Sequence, residues 1–329
     1  MSKSHFVRAS VIGTVACLTL TSGAIAQAQD YPGKPVRIIV PSAPGSGLDT
    51  VMRLVGQRLG ERWTVQVVVD NRPGAGTTLG TDMVAKAPSD GYTLLGTYGA
   101  MAANSSMYTR LPYDAIADFA PISLVNTAAN LIVANASLPA NGLKELSALA
   151  KAQPGALTYG SGGYGATQHL TMELLALKMG VKLNHVPYKG AAPAMVDAMA
   201  GNIALAISTT GSSAEHVRAK RLKALAVTSA KRNAALPQVP TAIEQGLSDF
   251  EAVDWFGILG PRKIPDAAAK KVAGDVGAVM KDKAVQERFL QLGYDPVGSS
   301  PQEFDAFFRR DVARWGRVVA DAKLRRLEN

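Results

Sequence analysis

Residues 36–49 read VRIIVPSAPGSGLD, and the fold follows from how that stretch is read. Val36–Val40 is a run of branched apolar residues, the composition of a buried strand. The turn after it is rich in proline, serine and glycine. Asp49–Leu59 then sets Val51, Leu54, Val55 and Leu59 on one face of a helix. The same unit returns further on: the strand LTYG (Leu157–Gly160), the loop SGGYGAT (Ser161–Thr167) and a helix over Gln168–Met179. Between and beyond these two units, strands are expected at Val65–Val69, YTLLG (Tyr92–Gly96), Leu131–Ala134, Asn184–Val186, Ile203–Ser208 and Leu222–Val227. Helices are expected at Thr77–Lys86, Leu143–Ala152, Pro193–Ala200 and Ser212–Lys220. From Asp266 the chain turns mostly helical and ends in a long amphipathic stretch from Gln302 onward. Strands alternating with helices imply an α/β architecture of mostly parallel sheets flanked by helices. The length of 329 residues suits two domains better than one.

The first residues are of another kind. Lys3 and Arg8 precede an uncharged run, Ala9–Ala26, that ends in Ala26-Gln27-Ala28. A basic start, an apolar middle and an A-x-A end describe a secretory signal over residues 1–28, cleaved near Ala28. The single cysteine, Cys17, and one of the four histidines, His5, leave with it. The mature chain then has no thiol for disulfides, nucleophiles or metal ligation. It keeps 33 basic and 26 acidic side chains, a net charge of +7 against +9 for the whole chain. These basic residues are scattered and no run is interleaved with aromatics, so nucleic acid is not the expected partner.

Each glycine-rich turn opens a helix, and a helix start carries free backbone N–H groups and the positive end of the dipole. Glycine lets the backbone approach a ligand closely, and Ser46, Ser161 and Thr167 add hydroxyl donors. Two such turns facing each other would hold a small molecule bearing carboxylates. Tight turns that need a positive φ are the competing explanation of each glycine cluster. Gly45-Ser46-Gly47 lacks the third glycine of a dinucleotide fingerprint, and no G-x-x-x-x-G-K-[ST] occurs. The remaining histidines, His169, His185 and His216, show no metal-ligand spacing, so neither metal nor cofactor is expected. His169 is read either as a ligand contact from its helix's first turn or as a satisfied histidine under the loop. Asp49 is read as a helix cap or as a ligand contact through water, and Arg72 as bracing its own loop or binding a second carboxylate. Trp255 and Phe256 are read as core packing. The rival functional reading is an exported α/β hydrolase using Ser161 with His169.

Several motifs follow one another in order: YPGKPVRIIVPSAPGSGLD, VVVDNRPGAGTTLGTDMVAKAPSDGYTLL, LTYGSGGYGATQHL, HVPYKGAAPAMVDAMAG and LPQVPTAIEQG. Through them the chain from Tyr31 to the C-terminal helix resembles the Bug (TctC-type) family, periplasmic solute-binding receptors of tripartite tricarboxylate transport systems. The resemblance implies a two-lobed periplasmic binding protein of type II character, with a ligand cleft between lobes that close by hinge motion. Lobe 1 would comprise residues 29–128 plus 248–329 and lobe 2 residues 129–247. It further implies a non-enzymatic, monomeric receptor that passes a small organic carboxylate (a mono-, di- or tricarboxylate, an aromatic acid or an amino acid) to transporter membrane components or to a sensor protein. The carboxylate would be held largely by backbone N–H groups of the two loops. On this chain they supply Ser42, Pro44, Gly45, Ser46, Gly47 and Asp49, then Ser161, Gly162, Gly163, Ala166 and Thr167, with His169 just beyond. GTYGA contributes Tyr98, Gly99 and Ala100, VPYKG contributes Tyr188 and Lys189, and a strand end contributes Ser208 and Thr209. The family's first loop is close to PFPPGGxTD. Here Ser42, Ala43, Ser46 and Leu48 replace its phenylalanine, second proline, second glycine and threonine, and Ala204 stands where many members carry aspartate. An aromatic wall is thereby lost at Ser42, which leaves room for a bulkier or aromatic acid.

Overall fold

A computed structural model describes residues 31–328 of the chain; the export signal expected at 1–28 lies outside the described residues. The strands build two sheets that share one element. β1 (Val36–Val40) pairs in parallel with β2 (Val67–Asn71) and β3 (Thr93–Tyr98). β5 (Thr158–Ser161) pairs in parallel with β6 (Asn184–Pro187) and β7 (Leu205–Thr209). Between these groups run β4 (Phe119–Asn135) and β9 (Val253–Pro261). β4 is 17 residues long. Its first part, Phe119–Ala129, lies antiparallel to β9, and its last part, Asn130–Asn135, is flanked by β7 and β8 (Leu222–Val227), also antiparallel. The short β10 (Asp295–Pro296) completes the first sheet on β4. The order is β2-β1-β3-β9-β4-β7-β5-β6.

The α/β architecture is as expected, but the sheets are mixed rather than mostly parallel. The reason is β4 and β9, strands buried on both faces over most of their length. A strand covered on both sides shows no alternation of polar and apolar residues, so its period is hidden in the sequence.

The helices that matter for the site each begin at a strand end. α1 (Gly47–Trp63) follows β1 and buries Val51, Met52, Val55 and Leu59. Its N-cap is Ser46, whose hydroxyl accepts from Asp49 N at 3.2 Å. α2 (Thr78–Ala85) and α3 (Ala100–Met107) bracket β3, and α4 (Leu143–Ala152) follows β4. α5 (Thr167–Met179) follows β5, α6 (Ala191–Ala200) precedes β7, and α7 (Thr210–Arg218) follows it. α8 (Asp266–Met280) and α9 (Lys283–Gln291) lead to α10 (Pro301–Asp321). α10 starts with a capping box: the Ser300 hydroxyl accepts from Glu303 N, and the Glu303 carboxylate accepts from Ser300 N. Its apolar stripe packs on α3, α5 and β4.

Three clusters of buried side chains form the core, and the largest joins α10 to β9 through Trp255. Phe304 and Phe308 meet the Trp255 indole edge-on, with ring centroids at 5.5 and 5.8 Å. The indole N–H donates to the buried Asp311 at 2.7 Å. Phe304 is fully buried, so truncating it leaves a cavity beneath the strand that carries the site. Phe304→Ala is expected to cost about 3–5 kcal/mol in urea unfolding, whereas Val297→Ala at an exposed position should stay within about 0.5 kcal/mol. Equal effects of the two would contradict this packing.

Candidate functional site

Four helices begin at one cavity of about 290 Å³. Gly47, the first residue of α1, lines it, as do Gly99 and Ala100 at the start of α3. Ala166, Thr167 and Gln168 open α5 there, and Thr209 is the N-cap of α7. The first N–H groups of a helix have no partner within it, and each helix start carries about half a positive charge. α3, α5 and α7 have no side-chain cap on those groups. Two glycines are required for the close approach of these starts. A Cβ on Gly47 would lie 2.4 Å from the Tyr294 hydroxyl, and one on Gly99 would lie 2.9 Å from Thr167 Cγ2.

The rest of the wall comes from the long strands. Asn126 and Ala128 come from β4, and Asp254, Trp255 and Phe256 from β9; Tyr98 at the end of β3 and Tyr294 after α9 close the ring. Neither Lys, Arg nor His lines the cavity. Asn126 is 1% exposed, and its amide nitrogen and oxygen have no hydrogen-bond partner. Asp254 accepts from Thr167 Oγ1 at 2.5 Å and from Gln168 Nε2 at 2.8 Å. Burial pushes the Asp254 carboxyl up, with the nearby Asp311 charge adding to it, while the hydrogen bonds from Thr167, Asn130 and Gln168 pull it back. Burial, and after it the Asp254 charge, raises both the Tyr98 and the Tyr294 hydroxyl. Among the described residues no group of three His, Cys, Asp or Glu is placed to hold a metal ion.

Of the residues singled out in sequence, the cavity brings together Gly47, Tyr98, Gly99, Ala100, Ala166, Thr167 and Thr209. The others lie outside its lining. Ser42 Oγ lies 2.7 Å from Ser46 Oγ, and Asp49 accepts from Gly45 N at 2.8 Å and from Asn71 at 2.9 Å. Asp49 is thus no cap; Ser46 is, and Asp49 ties the loop back to α1 and pairs with Arg53 at 2.9 Å. Pro44 is an exposed loop residue. Arg72 pairs with Asp70 at 3.1 Å and braces its own loop. Gly162 accepts from Gly190 N at 3.2 Å, Tyr188 donates to Asp197 at 2.6 Å, Lys189 is exposed, and Ser208 is buried in β7.

Ser161 and His169 do not pair. Ser161 Oγ lies 2.7 Å from His185 Nε2 and accepts from Gly163 N at 3.2 Å, fully buried. His169 is 1% exposed, accepts from Gly165 N at 3.1 Å through Nδ1, and stacks on His185 with centroids 4.0 Å apart. The Ser161–His169 hydrolase reading therefore has no geometric support; the two histidines shape the second loop from below.

The sequence reading did not place Asn126, Ala128, Gln168, Asp254 or Tyr294 at the site, and it took Trp255 and Phe256 for core. Trp255 belongs to both core and wall. Gln168 alone carried a local signal, as the neighbour of Thr167 in a helix's first turn.

Residues 51–324 match the tripartite tricarboxylate transporter family receptor. The chain belongs to this family. It is 34% identical over 321 residues to the protein BugT of Bordetella pertussis, covering 96% of this chain and 98% of that one. Among solved structures it is similar to Rpa4515 of R. palustris with adipate, at 32% identity and a TM-score of 0.76, covering 91% of this chain and 100% of the other. It is also similar to MatC of Rhodopseudomonas palustris with bound malate, at 27% identity and a TM-score of 0.72, covering 88% and 100%. The fold is the two-lobed periplasmic binding protein fold.

Burial lowers His185 to about 4; burial, and then the His185 charge, lowers His169 to about 3. Both are neutral when folded, whereas in the unfolded chain they titrate near 6.5. The unfolded state therefore binds more protons below about pH 6.5, and this contribution to stability is lost as pH falls toward 4. Burial raises the adjacent Glu173 and acts with the opposite sign, so the comparison is made between variants. His185→Gln should flatten the decline in melting temperature between pH 6.5 and 4 relative to wild type. Parallel curves would contradict the assignment.

Proposed function

We propose that this receptor captures a small organic carboxylate in the periplasm and delivers it, without chemical turnover, to the membrane components of a tripartite tricarboxylate transporter or to a sensor protein. The observation that carries this reading is the convergence of four helix starts on a cavity without a basic side chain. Such a site offers an anion directed N–H donors rather than a counter-ion. The unpartnered Asn126 amide supports it, because a buried polar group is ordinarily paired. The adipate and malate held by the similar structures supply the ligand class. Export by the signal at 1–28, with cleavage near Ala28, brings the monomeric chain to its ligand. No helix among the described residues is long and apolar enough to cross a membrane.

Lobe 1 is taken as residues 29–128 plus 248–329 and lobe 2 as residues 129–247. The change of partners along β4, from β9 to β7 and β8 at Ala129/Asn130, supports a boundary there. Closure about β4 and β9 would bring the starts of α1 and α3 toward those of α5 and α7.

Ala100→Asp tests the site directly. An acidic residue in the first turn of a helix is compatible with folding, but its carboxylate would take the N–H groups meant for the ligand. A carboxylate present at a hundredfold excess over its Kd should stabilise the wild type by about 2.7 kcal/mol. Ala100→Asp should lose that stabilisation while melting at the wild-type temperature without ligand. A variant that binds as the wild type does would overturn the reading.

A further inference from the structure

α3 lies along the loop that opens α5. At the start of α3, a Cβ on Gly99 would lie 2.9 Å from Thr167 Cγ2; at its end, one on Gly165 would lie 3.1 Å from Met107 Cε. In the division proposed above α3 belongs to lobe 1 and the loop to lobe 2. This seam therefore runs between the lobes, from the cavity outward. The segment after α10 closes over its outer end. Lys323, at φ 52 in the region that favours glycine, turns the chain off α10. Residues 324–328 then run beside the end of α3. Leu327 N donates to Met107 O at 2.6 Å, and Thr109 N donates to Leu327 O at 2.9 Å. The Arg326 guanidinium donates to Ser106 O at 3.0 Å and to Tyr108 O at 2.7 Å. The same segment reaches across the seam. The Tyr164 hydroxyl donates to Arg325 O at 3.0 Å, and Leu327 Cδ1 lies 3.7 Å from where Gly165 would carry a Cβ. The Tyr164 ring also lies on His169, with centroids 4.8 Å apart, which ties it to the first turn of α5.

We propose that residues 324–328 form an interlobe latch, which grips the end of α3 and Tyr164 together and holds the cleft shut from outside the ligand cavity. This rests on the two-lobed receptor reading above and adds to it a determinant of opening. The grip is uneven, as a latch requires. Towards lobe 1 the segment is held by backbone and guanidinium hydrogen bonds at several successive residues. Towards lobe 2 the contacts described are a hydrogen bond between neutral groups and the packing of Leu327 beside Gly165. When the cleft opens, the segment therefore stays with lobe 1 and lets go of Tyr164. One neutral hydrogen bond moves an equilibrium by about fivefold. A latch of that strength biases the balance of open and closed states without fixing it.

The chain from residue 29 onward has no cysteine, so spin labels can be placed on it in pairs. Lys86→Cys and Val196→Cys put one label on each lobe at exposed positions. Pulsed electron spin resonance then reads the label separation in the ligand-free protein. Tyr164→Phe keeps the ring and loses the hydrogen bond to Arg325 O. It should raise the ratio of open to closed populations by about fivefold over the labelled parent. A chain ending at Lys323 should raise it further. Because Tyr164→Phe removes a single half-exposed hydroxyl, it tests the latch even if the shortened chain does not fold. Distributions that coincide with the parent's would overturn the latch. So would a change on shortening with Tyr164→Phe unmoved, since the segment would then act on lobe 1 alone. Malate and adipate probe the receptor reading separately, and an acid that binds should leave Tyr164→Phe about fivefold faster than the parent. Failure of both acids to bind would count against that reading, and the label separations decide the latch in either case.

Discussion

Helix starts brought together repel, because each presents the positive end of a dipole, and this chain aims four of them at one cavity. Other features of the site follow from how that potential is met. The start of α1 is capped by Ser46, whereas the first N–H groups of α3, α5 and α7 have no side-chain cap. No basic side chain joins them. The binding free energy of an anion therefore comes from amides fixed by the folded backbone, which need no ordering when the ligand arrives.

The architecture explains how those amides are held. β1, β3, β5 and β7 are each followed by a helix whose start lines the cavity. β4 runs through both sheets, and β9 beside its first part carries the only acid in the cavity wall, Asp254. Behind the wall, Trp255 ties β9 to α10 through Phe304, Phe308 and Asp311. The cavity wall is thus backed by an aromatic cluster around Trp255.

Much of this was legible in sequence where the signal is local. Val36–Val40 and Leu222–Val227 are strands as read, Leu143–Ala152 is a helix as read, and the two glycine-rich turns do open helices at a common cavity. β4 was visible only at Leu131–Ala134, because FAPISLVNTAAN before it mixes proline, polar and small residues without a period. α3, with the sequence AMAANSSM, lacks an apolar stripe and escaped notice although its start lies at the site. Asn126, Asp254 and Tyr294 reach the cavity only through strand pairing and the return of the chain after α9, which sequence spacing does not encode. The serines and histidines that looked chemical proved to be braces: Ser161 with His185, and Ser46 with Asp49. In both loops the hydroxyls organise the turn, and part of the glycine content serves backbone conformation, as at Gly45 and Gly163.

The central claim is that main-chain amides at the helix starts around the cavity hold the ligand's carboxylate. Amide nitrogen-15 NMR, with the tightest-binding of a panel of small carboxylates added stepwise, reads this directly. The account predicts the largest downfield proton shifts among the first amides of the uncapped helices, Ala100 and Met101, Thr167 and Gln168, and Thr210 and Gly211, growing with the bound fraction. Shifts confined to residues away from all four helix starts, with these amides unmoved at saturation, would contradict it.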